Sequence, residues 1–309
     1  MSAITIAKLM TLPAGIRGSI IRFGAGISGN ASNATRSIST TSRLLSAADH
    51  TTGSESSVNH TEVSHFKALA SSWWDPHGSS RLLHLMNPLR HTFLRRCLDR
   101  QVPDPDRGLR YLDIGCGGGI FAESAARLHD THSVTAIDPT PEVIAVAKEH
   151  QRQDPLLLEP GRLTYQNVAI EGLKLPRAPE DGFDIVTLFE VIEHIQRPSP
   201  FLRSCLQHLK PGGWLVGSTI ARTNTSWFTT KLMAEEVMGV VPRGTHDWNQ
   251  YINPDEMREW ARTQSDLETG ALGWQTMGVV YVPGLGWKEV GGSESWGNYF
   301  FGIRKKTDE

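Results

Sequence analysis

The sequence predicts an α/β fold with a doubly wound, mostly parallel seven-stranded sheet and an antiparallel edge strand. Three observations predict it. Short apolar runs alternate with segments of helical spacing from Leu109 to Thr219, the pattern of a parallel sheet with helices on both faces. The first run feeds a glycine-rich turn, Gly115-Cys116-Gly117-Gly118-Gly119, followed by a helix-like stretch. Two later runs, 278–282 and 298–304, lie close together in sequence and suit antiparallel pairing at an edge.

The elements follow in order. From Val63 the spacing of Phe66, Leu69 and Ala70 predicts one helical face, which Asp75-Pro76-His77-Gly78 ends. A second helix is expected over 88–98, opening at Pro88. Then come strand 109–114, helix 120–128, strand 133–137, helix 141–150, strand 163–167, strand 183–189, helix 199–209 and strand 214–219. Pro211-Gly212-Gly213 is the stop-and-turn signal before the last of these strands. Residues 221–251 interrupt the sheet. Their apolar side chains, Trp227 and Phe228 among them, are too scattered for an amphipathic stripe, and the segment reads as an inserted lid.

The front of the chain differs from the rest. Its first 48 residues hold five basic residues, thirteen serines or threonines and no acid, which is the composition of a mitochondrial presequence. Residues 49–62 are a polar linker, and 63–309 form the folded domain with its lid. Without those five basic residues the chain carries 26 positive side chains against 33 acidic ones, a balance near −7 that argues against a nucleic-acid partner. Cys97, Cys116 and Cys205 are widely spaced and odd in number, offering neither a disulfide framework nor a zinc pattern. Cys116 reads as a small filler within the turn.

The turn's chemistry turns on what it can hold. Glycines admit a ligand to the backbone, and a helix start attracts anions, as in dinucleotide sites. The dinucleotide pattern needs a glycine at its sixth position, and counting from Gly115 that position is Ile120. Asp113 ends the strand just before the turn, where a carboxylate repels a pyrophosphate and attracts the ammonium and sulfonium of S-adenosylmethionine. Asp138, closing Ser133–Asp138, stands where a carboxylate accepts ribose hydroxyls. Arg90 could bind the cofactor's carboxylate bidentately, or form a surface salt bridge. Trp73 and Trp74 are expected to pack in the core.

A second constellation ends strand 183–189. Glu190, Glu193 and His194 are spaced i, i+3 and i+4, so one helical turn would put them on one face. Two carboxylates with an imidazole can bind Mg²⁺, and the histidine also admits Mn²⁺ or Zn²⁺. Alternatively the acids serve a helix start and His194 packs or acts as a general base; Glu193 and His194 are the candidate catalytic pair.

Taken together, WWDPHG (73–78), LLHLMNPLR (82–90), YLDIGCGGG (111–119), FEVIEH (189–194), STIARTNTSW (218–227) and VPRGTHDW (241–248) resemble the ubiquinone-biosynthesis O-methyltransferases of mitochondria, over roughly residues 60–305. The resemblance implies a class I, Rossmann-like methyltransferase that uses S-adenosylmethionine and Mg²⁺ on ring hydroxyls of polyprenylated phenolic intermediates. It implies Arg90, Gly115, Asp138 and Phe189 as cofactor contacts, Phe189 standing where the family often has methionine; Asp113, Gly117 and Gly119 join them from the strand end and the turn. It implies Glu190, Glu193 and His194 as metal ligands, peripheral attachment to the matrix side of the inner membrane, and membership of a multi-enzyme complex. A phenol of pKa about 10 is mostly neutral at pH 7, and a divalent cation on its oxygen would lower that pKa. The rival expectations are a metal-independent methyltransferase of another small molecule, a non-catalytic scaffold subunit, and a dinucleotide oxidoreductase that Ile120 and Asp113 disfavour.

Overall fold

The computed structural model describes residues 57, 63, 67, 69–99, 108–223 and 250–307. The expected presequence, the linker apart from Ser57, and residues 224–249 of the lid, Trp227 and Phe228 among them, lie outside the described residues. A 3-10 turn, Ala70–Ser72, leads through the Asp75–Gly78 turn into helix α1, Arg81–Leu98. This helix starts seven residues before the expected one. Pro88 lies inside it, so Arg90 sits in its middle rather than in a first turn. A proline there removes one backbone donor; burial of Met86, Phe93, Leu94 and Cys97 along one face outweighs that loss.

Strand β1 (Leu109–Ile114) runs through the glycine turn into α2 (Ile120–Ala126), then β2 (Thr131–Asp138), α3 (Pro141–Gln151) and β3 (Leu163–Asn167). Next come β4 (Phe183–Phe189), α4 (Pro198–Gln207) and β5 (Leu209–Ile220). The expected Pro-Gly-Gly turn is taken into β5, and the β4–β5 register shifts there, between Phe183 and Ile185. Helix α5 (Pro254–Thr263) starts where Glu256 accepts the Asn253 backbone N–H at 3.0 Å. The chain closes with β6 (Leu267–Glu268), β7 (Trp274–Val282), β8 (Gly286–Glu289) and β9 (Asn298–Lys305).

The sheet order is β3-β2-β1-β4-β5-β9-β7-β8, with β6 paired to β9. The first five are parallel, and β9, β7 and β8 add antiparallel pairs. Nine strands therefore replace the expected seven: β6 and β8 are too short to stand out by alternation. The two runs expected to pair at an antiparallel edge, β7 and β9, do pair antiparallel on that side of the sheet, with β8 beyond them.

Successive side chains point to opposite faces of a strand, and the core divides accordingly. Tyr111, Trp214, Val216 and Phe300 pack with Phe93, Ala122 and Ala147 from α1, α2 and α3. Leu112, Leu215 and Phe301 pack with Leu202 and Trp260 from α4 and α5. Helices cover both faces, which makes the sheet doubly wound and leaves the carboxyl ends of its parallel strands as the natural ligand edge.

Candidate active site

Asp113 reaches that edge at the end of β1, 2% exposed, aligned with Thr187 of β4. The Thr187 hydroxyl donates to its Oδ1 at 2.7 Å, while Oδ2 is buried with no hydrogen-bond partner among the described residues. Burial pushes the Asp113 carboxyl up to about 7; the Thr187 bond and then Arg90 pull it down, and Asp138 adds to the rise. An isolated buried carboxylate is costly and prefers its proton unless a cation arrives.

Arg90 is the complementary group. It is 4% exposed, lies with its guanidinium carbon 5.0 Å from the Phe189 ring centre, and has a buried Nε without a hydrogen-bond partner among the described residues. The surface salt bridge left open by sequence is thereby excluded. Burial lowers its pKa, while Glu190 and Asp113 raise it. Asn87 and His91, on either side of it in α1, both contact the Ser124 hydroxyl of α2, at 2.9 and 2.7 Å, and fix the helix that presents it. A buried cation and a buried acid, each with an uncommitted atom, fit the carboxylate and ammonium of an amino acid such as the methionine end of S-adenosylmethionine.

The glycine turn lies between them and Asp138. Asp138 Oδ2 accepts the Gly117 N–H at 3.1 Å and Oδ1 accepts the Thr140 N–H at 2.8 Å, so the carboxylate is held by the backbone and retains lone pairs for hydroxyl donors. Gly119, at φ 93°, takes the left-handed conformation that starts α2, and a side chain there would meet the Tyr165 hydroxyl. At Gly115 a Cβ would come within 2.6 Å of Val191, and at Gly117 it would meet the Trp73 indole. Much of the space the glycines leave is thus taken by the chain's own side chains. Cys116 is buried with its thiol pushed well up by burial, as a filler would be. Phe189 packs against Phe121 at 4.7 Å and Phe300 at 6.1 Å, within the aromatic core beneath Arg90.

The exit from β4 departs from the expected helical turn. Glu190 has φ 59°, a conformation few non-glycine residues adopt, and the short 3-10 turn begins only at Ile192. The reason is an anchor: the Glu190 N–H donates to the Ser218 carbonyl at 3.1 Å, holding the backbone to β5 before any helix can start. The i, i+3, i+4 face therefore does not form. Instead each acid is aimed by a hydroxyl of β5: Ser218 donates to Glu190 at 2.7 Å and Thr219 to Glu193 at 2.9 Å. Asn298 adds a longer contact to Glu190, 3.4 Å. Burial pushes Glu193 up to about 7, with Glu190 adding to the rise and His194 opposing it.

A cation would relieve that crowding of acids, so the donor chemistry fits a hard divalent ion. Among the described residues, however, no three His, Cys, Asp or Glu side chains stand as a metal-holding group. Thr187, Ser218, Thr219 and Asn298 were missed by sequence reasoning. The available signal was the hydroxyl pair Ser218-Thr219 at the carboxyl end of a predicted parallel strand.

Residues 86–268 match a family described as "Methyltransferase domain". A relative from Candida albicans, "Ubiquinone biosynthesis O-methyltransferase, mitochondrial", is 40% identical over 81% of this chain and 86% of its own. One of the same name from Schizosaccharomyces pombe is 45% identical over 68% of this chain and 73% of its own. Among solved structures, magnesium protoporphyrin IX methyltransferase from Synechocystis, with bound SAH, matches in fold with a TM-score of 0.51 and 13% identity, covering 80% of this chain and 96% of that one.

Proposed function

Because the chain belongs to the ubiquinone-biosynthesis O-methyltransferases, we propose that it methylates ring hydroxyls of polyprenylated dihydroxybenzoate and demethylubiquinol-type intermediates. S-adenosylmethionine supplies a methyl group on a sulfonium, open to attack by a phenolic oxygen. The chain's own residues bind and orient. Arg90 grips the donor's carboxylate, where a planar guanidinium makes paired bonds. Asp113 takes the ammonium through Oδ2, and Asp138 accepts the ribose hydroxyls. Gly115, Gly117 and Gly119 shape the turn, and Phe189 supports Arg90 from below.

At the acceptor, Glu193 or His194 removes the phenolic proton. A carboxyl pushed up to about 7 can exchange protons near neutral pH, where general bases are most effective. Alternatively, were Glu190, Glu193 and His194 drawn together around a bound Mg²⁺, the ion would supply positive charge that lowers the phenol's pKa, and Glu193 and His194 would then serve as ligands rather than as the base. The observation that carries the donor half of this reading is the buried Arg90 and Asp113 pair, each with an uncommitted atom at the strand ends.

The test is methyl transfer by the full-length chain from labelled S-adenosylmethionine to a short-chain prenylated dihydroxybenzoate, with and without chelator. Transfer that chelator abolishes and Mg²⁺ restores is expected, together with Mn²⁺ binding by electron paramagnetic resonance that Glu190→Gln weakens. Chelator-insensitive transfer would remove the metal and keep the enzyme. Donor binding without transfer would overturn the acceptor.

The same reading places the enzyme in mitochondria, peripheral on the matrix side of the inner membrane, within a multi-enzyme assembly and without nucleic-acid contact. Its support is the basic, acid-free first 48 residues and the mitochondrial names of both fungal relatives. Among the described residues no helix is long and apolar enough to cross a membrane. Residues 1–48 fused to a reporter are expected to carry it into mitochondria, and an alkaline wash is expected to strip the enzyme from inner membranes.

A further inference from the structure

Two adjacent tryptophans leave the main core for a task of their own. Trp73 and Trp74 belong to a small satellite cluster with Ala70, Ile120 and Val143, apart from the two clusters that flank the sheet. The Trp73 indole lies against the glycine turn, so close that a side chain at either Gly117 or Gly118 would run into it. Its carbonyl accepts from His84 Nε2 at 2.9 Å. Trp74 turns the other way. Its Nε1 donates to the Gly118 carbonyl at 2.9 Å, and its ring stacks on His150 with centroids 3.5 Å apart and planes 2° from parallel.

His150, at the end of α3, is itself fixed. Its Nδ1 lies 2.9 Å from both oxygens of Glu123, which is wholly buried in the first turn of α2, immediately after the glycines. The contacts thus close a ring: Gly118 to α2, Glu123 to His150, His150 to Trp74, and Trp74 back to Gly118. A core residue needs no such ring. The segment also runs straight into α1, the helix that carries Arg90.

We infer that residues 70–78 form a strap over the cofactor turn, with Trp73 as its cover and the Trp74, His150 and Glu123 contacts as its catch, and that this strap controls entry and release of the methyl donor. The inference rests on the methyltransferase reading. A satellite cluster with few buried partners can open at lower cost than the main core, so the strap can lift while the sheet stays folded. Trp74 and His150 are positioning residues, acting on the donor through the turn.

The experiment uses the full-length protein and S-adenosylhomocysteine as probe, with release followed by stopped-flow. Trp74→Phe keeps a ring on His150 and removes only the bond to Gly118; His150→Phe keeps the stack and removes the link to Glu123. Each is expected to speed release about tenfold, the scale of one lost hydrogen bond, and to raise KM for the donor more than it changes kcat. A purely structural role would lower Tm and leave the release rate unchanged, which would overturn the strap. Hydrogen exchange on the unmodified protein keeps the test independent of variant folding: amides of 70–78 are expected to slow when the probe is bound, and equal exchange counts against the proposal. Failure of the unmodified protein to bind the probe would overturn the donor reading and the strap together; binding with unaltered release in both variants would overturn the strap alone.

Discussion

Asp113 and Glu193 are built alike and surrounded differently. Each is a buried acid at the carboxyl edge of the sheet, each receives a threonine hydroxyl from a neighbouring strand, at 2.7 Å from Thr187 and 2.9 Å from Thr219, and each is pushed by burial to about 7. Asp113 faces a resident cation, Arg90. Glu193 faces a resident anion, Glu190, with His194 opposing it. The same local device therefore prepares two kinds of site. The first suits a zwitterion, whose two ends answer Arg90 and Asp113 in turn; the second suits a proton or a metal cation.

Removing the second acid should matter most for turnover. Glu193→Gln is expected to lower kcat by about 10²- to 10⁴-fold while leaving S-adenosylhomocysteine affinity nearly intact. Steady-state rates beside calorimetric titration would separate the two effects, and a parallel loss of affinity would merge the sites we distinguish. Asp113→Asn should do the reverse. Donor affinity falls by about 10- to 100-fold, the range for a hydrogen bond to a charged group, and the unliganded protein melts higher because a costly buried carboxyl is gone. A lower Tm without ligand would contradict the burial account.

The acidity of Asp113 supplies a third expectation. Its folded value of about 7 lies above the ordinary 3.8, so the native state holds more protons than the unfolded chain between those limits. Stability from this group is therefore greatest at acid pH and declines as pH rises from about 4 to 7. Donor binding runs the other way, since an ammonium needs the charged carboxylate. Affinity for S-adenosylhomocysteine is expected to rise about tenfold from pH 6 to pH 8, with proton release, and to flatten in Asp113→Asn. Titration calorimetry in two buffers of different ionisation enthalpy measures both. The smallest change is expected from Arg90→Lys, which keeps the charge and loses the planar fork, for a fewfold rise in KM of the donor.

What could be read from residues alone followed the chain's local rules. Strands β1, β3 and β4 lie where alternation and flanking turns put them, because Gly108, Gly161 and Gly182 bound them closely on their amino side. Helix α1 was cut short because Pro88 is a strong start signal, and only tertiary burial of Met86, Phe93 and Leu94 shows why the helix continues through it. The acids of the site were visible as types and spacings. Their hydroxyl partners were not, since Thr187 meets Asp113 only through the β1–β4 register, 74 residues apart in sequence. The backbone of Glu190 was likewise hidden, because spacing says nothing of an anchor to Ser218 on another strand.

The order of the sheet has an evolutionary consequence. Strand β1 pairs with β2 on one flank and with β4 on the other. Asp138 and the glycine turn belong to the β1–β2 flank, while Glu190, Glu193, Ser218 and Thr219 belong to the β4–β5 flank. Mutation can therefore remodel one flank while the hydrogen-bond ladder of the other stays in step. Substitutions at Ser218 or Thr219 on β5 can thus re-aim the two glutamates while Asp138 and the glycine turn keep their places, whereas Thr187 and Phe189 on β4 tie Asp113 and Arg90 to both flanks.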